Sequence, residues 1–233
     1  AAQCMTTAAE STKTPVIYAA ISDPAAADLT DIDYVTGTSD ALNTQSIMDM
    51  MFAVQPDIQT VGLLYSNSEA NSTTPIAEAK AYLDAKGIAY VEKTGNTNDE
   101  IMTAASSMVG QVDAVFTPTD NTIMTAELAI YEKFLNAKIP QYCGADSFAL
   151  NGAFVGYGVD YTKLGTITAD MVVQVLVDGK DPATLPVTTF DNGIAMINSE
   201  SCAALGYDII AVKQAFDGKC SSVLETTTQQ NFD

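Results

Sequence analysis

At four places in the sequence a short apolar run is followed by a stretch of small polar side chains, and each of these stretches contains a carboxylate. The longest spans residues 65–72, Tyr-Ser-Asn-Ser-Glu-Ala-Asn-Ser, and follows the run that begins at Val61. Hydroxyl, amide and carboxylate groups of this kind can hydrogen-bond a small polar molecule or pair with an ammonium group. Together with Asp160, which ends a further apolar run, the candidate binding residues are Ser22, Asp23, Asn67, Ser68, Glu69, Asn71, Ser72, Thr119, Asp120, Asn121, Asp146 and Asp160.

The elements around these stretches predict where they lie. Any one polar strand end has an ordinary explanation, because Asn, Asp and Ser are common N-caps of a following helix. From Val61 onward, however, apolar runs alternate with helical patterns, which predicts a parallel, doubly wound α/β sheet. Ligands bind beyond the carboxyl ends of the strands in such sheets. The four stretches therefore predict a binding site at one sheet edge. The runs begin near Val61, Ala89, Asp113, Pro140 and Phe154, and the helices are predicted over Pro75–Lys86, Asn98–Val109 and Thr122–Ala137.

Several outlying segments indicate a second domain. Two apolar runs and a helix precede the regular array, and a helix and a strand follow it. Two early strands are too few for a stable sheet, so we expect the chain to cross between two domains more than once. Because Ala1–Glu10 has the pattern of a helix end, we also expect two βα units upstream of Ala1. The outlying segments are Val16–Ile21, Asp33–Thr38, Leu42–Val54, a helix with Leu164, Ile167, Met171 and Val175 on one face, and Gly193–Ile197.

The composition argues against several functions. The 233 residues carry a formal net charge of −19, and so acidic a surface repels phosphate backbones, which disfavours a nucleic-acid partner. Histidine is absent, which removes Ser-His-Asp and Cys-His catalysis and any histidine-ligated metal. The nucleotide-binding glycine motifs and the G-x-S-x-G motif are missing from this sequence as well. An enzyme that uses paired carboxylates such as Asp120 and Asp146 is the disfavoured alternative.

The four cysteines leave two interpretations open. None has C-x-x-C spacing, so neither a zinc knuckle nor a thioredoxin-like motif is indicated. Cys202 and Cys220 can form a disulfide if the protein is secreted. The other interpretation is that the cysteines are buried free thiols.

The polar strand ends also carry a resemblance to a known family. The sequence resembles the substrate-binding proteins of ABC importers, in the tryptophan/tyrosine-type family with the type I periplasmic-binding-protein fold. The likeness extends from Ala1 to about Gly206. The motifs that carry it are Tyr18–Pro24, Val35–Asp40, Gly62–Ser72, Thr117–Asn121, Gly158–Tyr161 with Leu164-Gly165, and Asp178–Pro182.

The resemblance implies two α/β lobes that close on an amino acid, commonly an aromatic one such as Trp, Phe or Tyr. By this analogy lobe one holds residues 1–57 and 154–184, lobe two holds 58–153 and 185–219, and 220–233 is a polar tail. The family implies a monomer without a cofactor, and the partner is an ABC permease in the membrane. It also implies a signal peptide and an extracytoplasmic location, either periplasmic or lipid-anchored.

Roles for the candidate residues follow from the chemistry of an amino acid. We place the ligand carboxylate at the helix start near Asn71 and Ser72, where N–H and hydroxyl donors are expected. Asp120 and Asp146 are the expected partners of the ammonium group, with Asp23 or Asp160 from the other lobe and Glu69 as a further acceptor. Four aromatic residues are expected either to flank the ligand ring or to pack in the core: Tyr65, Phe116, Tyr157 and Tyr161.

Two other binding functions remain open from the sequence. The same two-lobed fold serves as the ligand-sensing domain of receptors and regulators. A nucleoside or an aliphatic amino acid is an alternative ligand.

Overall fold

The computed structural model describes residues 1–189 and 193–229, and within them the chain forms two compact units. The smaller unit contains residues 1–41 and 159–189, and the larger contains 42–158 and 193–229. The helices are α1 (Ala2–Ala9), α2 (Thr44–Val54), α3 (Thr73–Lys86), α4 (Asn98–Met108), α5 (Asn121–Asn136), α6 (Asp146–Leu150), α7 (Tyr161–Leu176), α8 (Ser199–Leu205) and α9 (Ile209–Ala215). The strands are β1 (Val16–Tyr18), β2 (Val35–Ser39), β3 (Thr60–Tyr65), β4 (Ala89–Thr94), β5 (Ala114–Thr117), β6 (Gln141–Cys143), β7 (Val155–Gly158), β8 (Thr188–Thr189), β9 (Ile194–Asn198) and β10 (Ser222–Thr226).

The larger unit is built on a seven-stranded sheet in the order β10-β9-β7-β6-β5-β3-β4. Helices α2, α3, α8 and α9 cover one face, and α4, α5 and α6 cover the other. Successive strand residues serve the two layers in turn, since Leu63 packs in the first and Leu64 in the second. Both faces are buried, so the strands read as nearly continuous apolar runs. The predicted α/β class with parallel sheets is confirmed.

The smaller unit has a three-stranded parallel sheet in the order β1-β2-β8. Helices α1 and α7 pack against it. Its core contains Tyr18, Leu29 and Tyr34. No helix in the described parts of either unit is long and apolar enough to cross a membrane.

Most predicted elements form within two residues of their expected ends. On α5, the predicted face of Ile123, Ala126, Ile130 and Phe134 is buried. Gly87 ends α3 in the left-handed conformation, with φ of 68°, which a residue without a Cβ adopts at little cost. On α7 the predicted face is buried at three of its four positions, and Ile167 is half-buried.

Three segments lie in a different unit from the one the sequence predicted. Residues 42–57 belong to the larger unit, because α2 packs against α3 and buries Ile47, Met48 and Met51 there. The strand β7, predicted for lobe one, joins the larger sheet beside β6 and β9. Residues 185–189 belong to the smaller unit, because β8 pairs with β2. Amphipathic patterns predict that an element is half-buried, but they do not show which sheet it covers.

Three further predictions need correction. The larger sheet is not wholly parallel, since β7 and β9 run antiparallel. The predicted tail contains β10, which pairs with β9 over all five of its residues, and residues 230–233 of that tail lie outside the described part. Cys202 and Cys220 are free thiols, so the disulfide alternative is wrong; Cys202 is buried, Cys220 is half-buried and Cys4 is exposed.

A buried glutamate lies under the sheet of the larger unit. The Glu127 side chain on α5 is fully buried, and its Oε2 accepts a hydrogen bond of 3.1 Å from Gln141 Nε2. Its Oε1 has no hydrogen-bond partner among the described residues. Burial raises the pKa of this carboxyl to about 8, against a smaller lowering by the Gln141 hydrogen bond. The carboxyl is therefore mostly protonated at neutral pH.

The substitution Glu127→Gln tests this protonation state. Between the ordinary glutamate pKa and about 8, the folded wild-type protein holds a proton that the unfolded chain releases. Its free energy of unfolding should therefore fall by up to about 1.4 kcal/mol per pH unit relative to Glu127→Gln, and the difference should level off above pH 8. Urea unfolding across this pH range measures it, with Glu132→Gln on the exposed face of the same helix as the control. A constant difference would contradict a protonated Glu127.

Candidate functional site

The predicted polar stretches of the larger unit lie in the loops that follow β3, β5 and β6. These strands are neighbours and parallel, so their carboxyl ends share one sheet edge. A short 3₁₀ turn, Ala70–Ser72, leads from the first loop into α3. The second loop leads into α5, and the third into α6.

The Asp120 carboxylate joins two of these loops from inside the protein. It is 1% exposed. Its Oδ1 accepts the backbone N–H of Ile123 at 2.9 Å and so caps α5. Its Oδ2 accepts the backbone N–H of Ser66 and the hydroxyl of Ser72, each at 2.7 Å. Both oxygens are thus committed to the fold, which argues against the predicted roles of Asp120 and the Ser72 hydroxyl in direct ligand contact.

Further hydrogen bonds extend this connection to the third loop. Asn71 Nδ2 donates to the carbonyl of Thr119 at 2.8 Å. The hydroxyl of Thr119 donates in turn to the carbonyl of Gly144 at 2.7 Å. These short hydrogen bonds therefore fix the positions of the three loops relative to one another.

The remaining predicted residues of these loops pair with one another or with the next loop. Asn67 Nδ2 donates to Thr94 at 3.3 Å, and the hydroxyls of Ser66 and Ser68 lie 2.7 Å apart. The Glu69 carboxylate accepts from Asn121 Nδ2 at 3.3 Å and from the Thr122 hydroxyl at 3.2 Å. The structure thus brings the predicted polar residues of the larger unit together at one edge.

Asp146 differs from Asp120 because it is only half-buried. Its Oδ1 accepts the adjacent Ser147 N–H at 2.8 Å. No hydrogen bond to its Oδ2 is found among the described residues. The chain at Gly156 passes close beneath, and a Cβ there would stand 2.8 Å from Asp146 Cα. Asp146 Oδ2 can therefore accept a hydrogen bond from a ligand.

Three of the four predicted aromatic residues are engaged elsewhere in the larger unit. Phe116 is fully buried in the core. Tyr157 is 1% exposed, and its hydroxyl accepts the Gly193 N–H at 2.7 Å. Tyr65 donates to Glu92 at 2.9 Å, and the pKa of Tyr65 is raised by burial and by this hydrogen bond. Core packing is thus the better account of Phe116 and Tyr157.

Glu92 also pairs with a lysine. Lys80 Nζ lies 2.6 Å from Glu92 Oε2, and this bond lowers the pKa of the Glu92 carboxyl. The Tyr65 hydroxyl is therefore hydrogen-bonded to a carboxylate that also forms an ion pair with Lys80.

In the smaller unit, two predicted carboxylates act as caps. The exposed Asp160 caps α7 by accepting the Lys163 N–H at 2.9 Å. Asp23 accepts the Ala26 N–H at 2.9 Å in the turn after β1. Ser22, by contrast, donates to Asp40 at 2.9 Å. The sequence reasoning left Asp40 out of the site, although it follows β2 in the same way that the other candidates follow their strands.

The described residues contain no group of three Cys, Asp or Glu side chains that could hold a metal ion. What the edge of the larger unit offers is a set of fixed amide and hydroxyl groups beside a half-buried carboxylate. Such a set suits a small ligand that carries both charges.

The fold and this edge are typical of proteins that bind a small molecule at the carboxyl ends of parallel strands. More specifically, residues 1–213 match the model of the ABC transporter substrate binding protein family. The chain belongs to this family, as the resemblance predicted, and it has the type I periplasmic-binding-protein fold.

Two of the proteins that this chain resembles bind an amino acid. The chain is 32% identical over 197 residues to a tyrosine-binding protein of Clostridioides difficile (strain R20291). This match covers 82% of this chain and 56% of that protein. The chain thus spans just over half the length of that relative. It is 32% identical to an ABC domain from Streptococcus pneumoniae solved in complex with L-Trp, with a TM-score of 0.80 over 96% of this chain and 77% of that one. A ligand-free, open substrate-binding protein with adhesive properties from Clostridium difficile is 28% identical, with a TM-score of 0.76, and the match covers 92% of this chain and 72% of that one.

The role of Asp120 as an internal brace predicts a loss of stability when its charge is removed. Asp120→Asn places amide hydrogens opposite the Ser66 N–H and should lower the free energy of unfolding by roughly 1–3 kcal/mol. Asp160→Asn is the matched control, because Asn and Asp are similar N-caps and the change should stay within about 0.5 kcal/mol. Urea unfolding at neutral pH measures both. Equal, small effects would contradict the brace.

Proposed function

We propose that this protein is the substrate-binding component of an ABC importer and that its ligand is an aromatic amino acid. The observation that carries the proposal is Asp146, a half-buried carboxylate with one oxygen open to a ligand, at an edge rich in amide and hydroxyl donors. The tyrosine-binding and L-Trp-bound relatives support the choice of ligand class. A sensing or regulatory role has no comparable support in this chain.

An amino acid matches the groups of this edge. Its ammonium group is the donor that Asp146 Oδ2 can accept, and a hydrogen bond to a charged group is stronger than one between neutral groups. For its carboxylate we propose Asn67 and Asn71, because each amide nitrogen has two hydrogens and donates to one acceptor among the described residues. The hydroxyl of Ser68 lies in the same loop.

The proposed role is binding without chemical conversion. The sequence has no histidine to act as a general base. Of the two carboxylates considered for acid–base work, Asp120 is occupied by three internal donors. The proposed partners are the amino acid and an ABC permease, with the protein acting as a monomer outside the cytoplasmic membrane. A signal peptide and a lipid anchor belong to this proposal as well.

Calorimetric titration with L-tryptophan, L-tyrosine and L-phenylalanine tests the proposal. We expect saturable binding of at least one of them. Asp146→Asn should weaken that binding by about 1.5–3 kcal/mol, the range for a hydrogen bond to a charged group. The control is Asp57→Asn, an exposed residue that precedes β3 and so lies at the opposite end of the strands.

Two results would contradict the proposal. Binding of a nucleoside or an aliphatic amino acid, with none of the three aromatic ones bound, would reject the ligand class. Unchanged affinity in Asp146→Asn would remove Asp146 from the site.

A further inference from the structure

Gln141 connects the buried Glu127 carboxyl to the binding edge of the larger unit, the edge at the carboxyl ends of β3, β5 and β6. Its Nε2 donates to Glu127 Oε2 at 3.1 Å and to the hydroxyl of Thr117 at 3.3 Å. Thr117 is the last residue of β5, and its carbonyl accepts the N–H of Gly144, in the loop after β6, at 2.8 Å. The contact between Glu127 and Gln141 is thus joined to the loops that follow β5 and β6.

The hydrogen bonds of this group leave two buried oxygen atoms unused. Glu127 is fully buried and Gln141 is 2% exposed. Among the described residues, neither Glu127 Oε1 nor Gln141 Oε1 has a hydrogen-bond partner. Both atoms are acceptors while the carboxyl is ionised, so they cannot pair with each other in that state. Two unsatisfied acceptors are costly here, because each has lost its hydrogen bonds to water.

A proton on Glu127 Oε1 gives both atoms a partner. A protonated carboxyl has one O–H donor, and an amide oxygen is an acceptor. The two end groups are already joined by the bond from Gln141 Nε2 to Glu127 Oε2. A second bond, from Glu127 Oε1–H to Gln141 Oε1, closes a ring of two hydrogen bonds between them. Since Gln141 Nε2 uses its other hydrogen on Thr117, every polar atom of the two end groups then has a partner.

The surroundings of Glu127 favour its neutral form. Its titratable neighbour is the Cys143 thiol of β6, whose pKa is raised well above its ordinary value by burial and by the Glu127 charge. Strands β3, β5 and β6 contain no charged residue, and burial raises the pKa values of their tyrosines, Tyr65 and Tyr142. Helices α4, α6 and α8 pack against α5. The charged residues of these four helices are exposed or half-buried: Asp99 and Glu100 on α4, Glu132 and Lys133 on α5, Asp146 on α6 and Glu200 on α8.

The charge of Glu127 determines how firmly the ends of β5 and β6 are held. When the carboxyl is ionised, Glu127 Oε1 and Gln141 Oε1 are two acceptors that repel each other beside a buried charge. Relief of this repulsion requires the Gln141 amide to turn away, which breaks its bond to Thr117. A binding edge that must be reordered when the ligand binds loses affinity, because the ordering costs free energy.

We propose that Glu127 and Gln141 form a neutral acid–amide pair that positions the loops after β5 and β6, and that the protein binds its ligand more tightly while this pair is intact. This inference rests on the proposed function and makes the affinity for an aromatic amino acid depend on the proton of Glu127. Glu127 and Gln141 are positioning residues, since both are buried and act through the loops.

Infrared spectroscopy without any ligand tests the pair. A protonated carboxyl has a carbonyl stretching band that ionised carboxylates lack. The band should be present in wild type and absent in Glu127→Gln at about pH 7, and wild type should lose it by about pH 9, above the Glu127 pKa of about 8. In Gln141→Met the band should move to higher frequency, because the hydrogen bonds that weaken the carbonyl are lost. A missing band in wild type at neutral pH, or an unshifted band in Gln141→Met, would overturn the pair.

Calorimetric titration with L-tryptophan, L-tyrosine and L-phenylalanine at the same two pH values tests the effect on binding. Glu127→Gln keeps the pair at either pH, because an amide at this position can donate to Gln141 Oε1 and accept from Gln141 Nε2. Relative to this variant, wild type should lose affinity about fivefold or more at the higher pH, the lower end of ordinary coupling between two sites. Titration of the ligand ammonium affects both proteins equally and cancels. Glu132→Gln, on the exposed face of α5, is the control and should follow wild type.

The outcomes separate this inference from the proposed function. Equal pH dependence of binding in wild type and Glu127→Gln would overturn the inference, and the proposed function would stand. Failure of wild type to bind any of the three amino acids would reject the proposed function and with it the effect on affinity. The infrared band would still decide whether the acid–amide pair exists.

Discussion

The buried Asp120 carboxylate is the constraint on which the binding edge of the larger unit depends. It accepts an N–H from the first turn of α5, the N–H of the residue after β3 and the hydroxyl of the residue before α3. A charge without these donors would be costly to bury, because desolvation penalises an unpaired ion heavily. With them, it fixes two loops relative to each other. The hydrogen bonds from Asn71 to Thr119 and from Thr119 to Gly144 then fix the loop before Asp146 relative to the other two.

The aspartates of the polar edges therefore divide into three groups by their environment. Asp120 is buried and occupied, so it shapes the edge. Asp23 and Asp160 cap the segments that follow them. Asp146 and Asp40 are half-buried and retain acceptor capacity, which suits Asp146 to meet the proposed ligand. A preorganised edge loses little freedom when a ligand binds, which favours affinity.

The sequence predicts the fold more fully than the site. Alternating apolar runs and helices reveal the α/β class, and the periodicity of α5 and the glycine after α3 place those elements closely. Pattern alone does not show that α2 covers the larger sheet or that β7 meets β9 antiparallel, because both depend on long-range pairing. For the same reason it does not separate Asp120 from Asp146. Each follows a strand and precedes a helix, and only burial and the position of Ser66 and Ser72 distinguish them. Asp40 was missed, although it follows β2 directly.

The most direct test is a crystal structure of the protein with a bound aromatic amino acid, prepared with L-tyrosine. The account predicts that the ligand ammonium lies within hydrogen-bond distance of Asp146 Oδ2, while Asp120 keeps its bonds to Ser66, Ser72 and Ile123. An ammonium group bound to Asp120, or a ligand remote from the carboxyl ends of β3, β5 and β6, would contradict it.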